Sequence, residues 1–198
     1  MVVAGLNAGA MLLAVSLTRR PGDTSFYWLA VALAAVWAGA AVASGPLHPG
    51  RDRSGRPPVL TGLGVGLLTG AVFVVGGLVV RPIDVLAEPV ARVLAFAHQG
   101  ALPVVVLITL VNGVAEELFF RGALYTALGR TYPLAISTVL YVIATLASGN
   151  PMLGFAAAIL GTVCALERRA TGGVLAPVLT HLVWGLIMVL ALPPLFGR

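Results

Sequence analysis

The sequence predicts an all-α, polytopic membrane protein: a bundle of about seven transmembrane helices with one further interfacial helix. Of its 198 residues, 59% are hydrophobic and only 10% are charged, whereas a soluble domain carries about 25% charged residues. The apolar residues fall into blocks near the length of roughly 20 residues that a helix needs to cross a bilayer. Arginine, proline or glycine separates these blocks. We therefore expect a single integral-membrane domain over residues 1–198.

The blocks predict helices at about Val2–Thr18, Ser25–Ser44, Val59–Val80, Leu102–Leu128, Pro133–Ser148, Met152–Leu166 and Val174–Leu192. Arg19 and Arg20 follow the first block, whereas a cleavable signal peptide carries its positive charge before the apolar run. This order favours a retained first helix. Between the third and fourth blocks, Asp84, Glu88 and Arg92 alternate with apolar residues, which is typical of a helix at the membrane interface.

Glycines recur at four-residue spacing in two of the predicted helices. Gly62, Gly66 and Gly70 form one such row, and Gly5 with Gly9 begins another. Small residues at this spacing let helices approach each other closely in lipid. The alternative is that membrane helices simply contain more glycine than soluble ones.

The charged residues outside the predicted helices indicate a lipid partner rather than a nucleic acid. The chain has no lysine, and its net charge of +5 comes from arginines scattered between the apolar blocks. Such arginines are typical of loops at anionic headgroups, whereas nucleic-acid binding needs a basic face or stripe. Cys164 is the only cysteine, which excludes an intramolecular disulfide. Richness in alanine, valine, glycine and arginine is typical of GC-rich bacterial genomes and predicts a bacterial plasma membrane.

The stretch "NGVAEELFFRG" places Glu116, Glu117 and Arg121 inside an apolar helix. A charge near the bilayer centre costs a few kcal/mol on insertion scales. Glu117 and Arg121 are four residues apart, so they share a helix face and can pair. Glu116 points about 100° away and is left available for proton transfer. The alternative, that Glu116 begins an extension outside the membrane, is disfavoured by the apolar residues that follow Arg121.

Two further helices carry polar groups at a comparable depth. Measured from the helix ends on one side at about 1.5 Å per residue, Glu116 and Thr145 lie about 20 Å deep and His181 about 12 Å. Thr145 belongs to a polar stripe on its helix, formed by Ser137, Tyr141, Thr145 and Ser148. A lone intramembrane histidine is more often a packing residue, but beside a carboxylate pair His181 becomes a candidate functional residue. We expect these groups to converge near the middle of the bilayer.

The motifs resemble a known protease family. "AEELFFRG" resembles the glutamate–glutamate–x-x-x-arginine motif of the CAAX prenyl protease and bacteriocin-processing family, also called the Abi family. "TGGVLAPVLTHLVWGL" is similar to the last motif helix of these multi-helix intramembrane proteases. The resemblance covers about residues 101–190 and predicts a motif core there.

The resemblance implies a role for each matching residue. Glu116 would act as the general base toward water, and Glu117, paired with Arg121, would position the site. His181 would donate a hydrogen bond to the oxyanion. A carboxylate that activates water and a preorganised donor together suit amide hydrolysis.

Two positions depart from the family pattern. The histidine of the middle motif is replaced by Thr145, and the asparagine that follows the last histidine by Gly185. Threonine can hydrogen-bond a water, but it is neither an imidazole base nor a good metal ligand. His98, which precedes the charged helix, is an alternative histidine. A divalent metal such as zinc would find few ligands in this set.

Three functions are consistent with these residues. The first is an intramembrane endopeptidase that cleaves membrane-associated peptides or proteins through water activated by Glu116, with Thr145 and His181 in a modified site. The second is a family member that has lost catalysis and serves as a membrane scaffold or binding protein, which the two departures favour. The third is a proton-coupled transporter, which the lack of a visible internal repeat disfavours.

Overall fold

The computed structural model describes residues 1–196, and this range forms eight helices and no strand. They are α1 (Val2–Leu17), α2 (Thr24–Ala43), α3 (Val59–Val80), α4 (Asp84–Gln99), α5 (Leu102–Leu128), α6 (Pro133–Leu146), α7 (Pro151–Thr171) and α8 (Leu175–Phe196). The predicted all-α helix bundle is confirmed. Residues 197 and 198 of the predicted domain lie outside the described residues.

Five helices of the described range are long and apolar enough to cross a membrane: α2, α3, α5, α7 and α8. Helices α1 and α6 lie where the sequence predicts spans, but they contain only 16 and 14 residues. At 1.5 Å per residue they measure about 24 and 21 Å, less than the hydrocarbon thickness of roughly 30 Å. Of the roughly seven transmembrane helices that the sequence predicts, five are thus long enough to span by themselves, and the other two are shorter apolar helices.

Helix α7 continues past its predicted end at Leu166, and two residues of this added part, Glu167 and Arg168, contact the rest of the protein. Glu167 is only 6% exposed, and the Arg168 Nε donates to the carbonyl oxygen of Arg121 at 2.8 Å. Gly172, with φ of 70°, ends the helix in the left-handed conformation that glycine adopts without strain. Tertiary contacts thus extend a helix that local hydropathy would end earlier.

Side-chain caps fix where two of the helices begin. The Asp23 carboxylate accepts the Ser25 N–H at 2.8 Å and caps α2; this hydrogen bond holds the pKa of Asp23 below its usual value. The Asn150 side chain accepts the Met152 N–H at 2.9 Å and caps α7. Asn150 also donates to the carbonyl of Pro89 at 2.8 Å, which joins α7 to α4, the helix that the sequence predicts at the membrane interface.

The glycine rows are close-packing faces. A Cβ on Gly62 would lie 2.7 Å from the carbonyl oxygen of Ala176, and one on Gly66 would lie 2.8 Å from the Cβ of Val183. Both neighbours are on α8, so α3 and α8 pack backbone against backbone. On α1, a Cβ on Gly9 would overlap the ring of Trp37. The close-packing interpretation is confirmed for both helices.

An aromatic cluster forms the core between α2, α5 and α6. Trp37 stacks on Phe119 with ring centroids 6.3 Å apart and meets Phe120 edge-on at 5.4 Å. Phe120 in turn packs against Tyr141 at 4.8 Å. All four side chains are at most 5% exposed. The cluster fixes the second half of α5, which carries the charged motif, against α6.

Replacing Gly66 with alanine should lower the free energy of unfolding by about 1–3 kcal/mol, the usual effect of overpacking a closed interface. Thermal unfolding in detergent micelles measures the loss. Gly64, on the other side of the same helix, is the matched control, because a Cβ added there meets no atom within 4 Å. Gly64→Ala should leave stability unchanged or slightly raise it through helix propensity. Equal effects of the two substitutions would contradict the interface.

Candidate active site

Helix α5 changes its pitch at the charged motif. Residues Leu118–Leu124 form a π-helical segment that begins immediately after Glu117 and includes Arg121. Single π-helical segments inside α-helices are frequent at functional sites, because the wider turn changes which backbone groups are paired. Within this segment the carbonyl oxygen of Arg121 accepts a hydrogen bond from the Arg168 side chain.

The predicted ion pair lies in the interior of the bundle. The Arg121 Nη1 donates to the Glu117 Oε1 at 3.1 Å, and both side chains are 0% exposed. The Arg121 Nη2 donates to the carbonyl oxygen of Gly161 at 2.8 Å, and the guanidinium lies 4.7 Å above the Tyr141 ring. A Cβ on Gly161 would lie 3.1 Å from that Nη2, so glycine makes room for the contact. These interactions offset the cost of removing the arginine from water.

His181 connects the two glutamates. Its Nδ1 lies 2.8 Å from the Glu117 Oε1, and its Nε2 lies 3.9 Å from the Glu116 Oε2. Because an ionised carboxylate only accepts hydrogen bonds, Nδ1 carries the proton toward Glu117. A donating Nε2 therefore requires the imidazolium form, and the two carboxylates then balance the charges of His181 and Arg121 together. Gly113 on α5 allows the approach, because a Cβ there would lie 3.1 Å from the ring.

Glu116 is held differently from its neighbour. Its Oε2 accepts the Tyr141 hydroxyl at 2.7 Å. Its side chain keeps 17% of its surface exposed, whereas that of Glu117 keeps none. Glu117 is thus enclosed by Arg121 and His181, while Glu116 faces accessible space.

The structure brings together four of the five residues that the sequence singles out: Glu116, Glu117, Arg121 and His181. The fifth, Thr145, lies one turn beyond Tyr141 on α6 and donates its hydroxyl to the Tyr141 carbonyl at 2.9 Å. Within residues 1–196, no hydrogen bond joins Thr145 to Glu116 or His181. His98 is engaged elsewhere, with its Nε2 3.0 Å from the carbonyl oxygen of Pro193.

Sequence reasoning missed two contributors to this site. Tyr141 was placed in the polar stripe of its helix, and that stripe was the available signal for the contact with Glu116. Nothing in the sequence indicated that the carbonyl of Gly161 contacts Arg121, because Gly161 is simply a glycine inside an apolar helix. Its contact with Arg121 spans 40 residues of sequence.

The side chains present do not fit a divalent metal. Zinc is held by three or four protein ligands, and within the described residues no three His, Cys, Asp or Glu side chains are grouped to hold one. The Nδ1 of His181 and the Oε1 of Glu117 already contact each other. Only Glu116 and the His181 Nε2 remain as possible ligands, which is fewer than zinc requires.

An apolar cavity of about 560 Å³ opens next to the site. Side chains from α3, α4, α7 and α8 line most of it, and Thr109, Trp184 and Gly185 form part of its wall. Trp184 also packs edge-on against the His181 ring, with centroids 5.7 Å apart. The cavity therefore reaches to within one helical turn of the candidate catalytic histidine.

The matched domain spans this site. Residues 98–187 match the family model described as type II CAAX prenyl endopeptidase Rce1-like. The resemblance to the CAAX prenyl protease family is therefore confirmed over this segment, and at the family level it indicates a CAAX-type intramembrane protease. Together with the five long apolar helices, the match identifies an integral membrane protein. Comparisons with curated proteins and with solved structures found no match.

Arg121→Ala should destabilise the protein by about 3–5 kcal/mol, because it breaks a buried ion pair and leaves Glu117 with His181 alone. Chemical unfolding in detergent micelles measures the difference. The matched control is Arg92→Ala, which removes an exposed pair with Glu88 at 3.8 Å, the two side chains being 61% and 74% exposed. Its effect should lie within about 1 kcal/mol. An Arg121→Ala variant as stable as the control would show that the pair contributes nothing.

Proposed function

We propose that this protein is an intramembrane endopeptidase that cleaves membrane-associated peptides or proteins by the attack of a water that Glu116 activates. The observation that carries the proposal is the separation of 3.9 Å between the Glu116 Oε2 and the His181 Nε2. A general base and a hydrogen-bond donor this close together can act on one carbonyl group. The family match of the same segment supports a hydrolase of this class.

The proposed reaction needs one water and one peptide bond. Glu116 accepts a proton from the water, and the water oxygen forms a bond to the carbonyl carbon of the substrate. The Nε2–H of His181 stabilises the oxygen of the tetrahedral intermediate. Glu116 then gives its proton to the leaving nitrogen as the C–N bond breaks. The products are a carboxylic acid and an amine, and Glu116 is ionised again.

The remaining residues position this pair. Glu117 holds the His181 Nδ1, and Arg121 holds Glu117, so the donating Nε2 keeps its direction. Thr145 is proposed to border the water site. Its hydroxyl group donates to the Tyr141 carbonyl, and the lone pairs of the hydroxyl oxygen can still accept from a water.

The second candidate function is a membrane scaffold or binding protein without catalysis. It is favoured by the replacement of two family positions with Thr145 and Gly185, which removes an imidazole and a carboxamide from the site. A scaffold needs the fold but does not need the base. The two functions therefore differ in their response to a conservative change of Glu116.

Glu116→Gln should abolish cleavage, with a loss of at least about 100-fold, because an amide cannot accept the water proton. The test compares protein N- and C-termini in source cells with the gene deleted and then restored as wild type, Glu116→Gln or Glu88→Gln. Glu88, an exposed glutamate of α4 outside the site, is the control. Termini that return with wild type and the control, but not with Glu116→Gln, establish a protease. Termini that are the same in all strains favour the scaffold.

Thr145→His should raise the rate of cleavage in proteoliposomes, because it places an imidazole one turn from Tyr141 beside the water site. Thr162→His on α7 is the control: Thr162 makes the same hydrogen bond to the carbonyl four residues back, at 2.7 Å, but is exposed. It should leave the rate unchanged. A Thr145→His variant with an unchanged or lower rate would show that this position does not border the water.

A further inference from the structure

We propose that Tyr141 is the positioning residue of the site: its hydroxyl holds the Oε2 of Glu116 and leaves the Oε1 to take the proton of the water. This inference rests on the proposed function. The hydroxyl donates to the Glu116 Oε2 at 2.7 Å, across 25 residues of sequence. That makes α6 a direct partner of the candidate base, through Tyr141 rather than through Thr145.

The ring of Tyr141 is fixed on several sides. It is 5% exposed and packs against Phe120 with centroids 4.8 Å apart. The Arg121 guanidinium lies 4.7 Å above it. The backbone of Gly161 packs against the edge of the ring, so closely that a Cβ there would lie 2.9 Å from the Tyr141 Cδ1. A ring enclosed in this way presents its hydroxyl at one place.

A fixed hydroxyl determines the direction of the carboxylate. Glu116 has three side-chain torsions, and the last of them rotates over a broad range when nothing holds it. The hydrogen bond at Oε2 restricts this rotation. Preorganised geometry of this kind matters because small displacements of a catalytic group can lower the rate about 100-fold.

The same contact determines which oxygen carries the proton. Because Oε2 accepts the O–H of Tyr141, the proton taken from the water goes to Oε1, the oxygen left for the water. It leaves from that oxygen to the departing nitrogen. The tyrosine keeps its own proton throughout, and no bond to it forms or breaks.

Tyr141→Phe removes the hydroxyl and keeps the ring beneath Arg121. In the full-length protein reconstituted in liposomes, with a peptide taken from a terminus that depends on Glu116, we expect kcat to fall about 10- to 100-fold and KM to stay unchanged. In a Glu116→Gln background the same substitution should cause no further loss. Tyr125→Phe is the matched control, because Tyr125 lies beneath another arginine, Arg168, at 5.0 Å outside the site. It should leave kcat unchanged.

A spectroscopic measurement tests the contact without relying on activity. The chain contains four glutamates, so infrared spectra of protein with carbon-13 in the glutamate side chains resolve few bands. The band lost in Glu116→Gln belongs to Glu116. We expect Tyr141→Phe to shift that band and Tyr125→Phe to leave it in place.

The outcomes separate the two proposals. An unshifted Glu116 band overturns the role of Tyr141, whether or not the protein cleaves peptides. A shifted band with an unchanged kcat in an active protein also overturns it. A wild-type protein that cleaves nothing overturns the proposed function, and a shifted band then still supports the orientation of Glu116 by Tyr141. A shifted band together with the lowered kcat supports both.

Discussion

The buried ion pair of Glu117 and Arg121 is the interaction on which the arrangement of the site depends. Neither side chain has any exposed surface, and in an apolar interior an unpaired charge of this kind is strongly destabilising. The further contacts of the pair come from other helices, while the Glu117 Oε2 and the Arg121 Nε have no hydrogen-bond partner among the described residues. Glu117 meets His181 on α8, while Arg121 meets the carbonyl of Gly161 on α7 and the ring of Tyr141 on α6. One pair on α5 thus fixes the positions of three neighbouring helices.

This constraint also separates the roles of two adjacent glutamates. Successive residues of a helix point about 100° apart, so Glu116 cannot share the environment of Glu117. It faces Tyr141 and the accessible side of His181, and it keeps 17% of its side chain exposed. A carboxylate that is held at one oxygen and reachable at the other is suited to proton transfer, whereas an enclosed one is suited to holding a histidine.

This chain departs from the family pattern that it resembles at two positions, one on α6 and one on α8. Where the family pattern has its middle-motif histidine, α6 carries Thr145. The short hydroxyl of Thr145 donates a hydrogen bond to a carbonyl of its own helix. Tyr141, one turn earlier, makes the contact with Glu116. On the opposite side, Gly185 and Trp184 form part of the wall of an apolar cavity of about 560 Å³. The polar site therefore borders a space that is lined by apolar side chains.

Local pattern was sufficient for the fold class, the helix positions, the glycine faces and the pairing of Glu117 with Arg121. Each of these depends on residues within a few turns of one another, and helical periodicity relates such residues directly. The predicted bounds of α1 and α6 agree with the structure to within two residues, whereas the last turn of α7 was not predicted. Hydropathy measures how apolar a segment is, while tertiary contacts such as that of Arg168 determine where the helix ends.

Only the tertiary structure decided three features of the site. They are the hydrogen bond from Tyr141 to Glu116, the hydrogen bond from Arg121 to the carbonyl of Gly161, and the direction of His181. These contacts join residues 25, 40 and 64 positions apart. They depend on the rotation and depth of each helix relative to the others, which the whole set of packed interfaces determines together. The sequence alone identified which charged residues must find partners inside the membrane. The packing of α6, α7 and α8 around α5 selected those partners, because side chains on different helices meet only after the helices have docked.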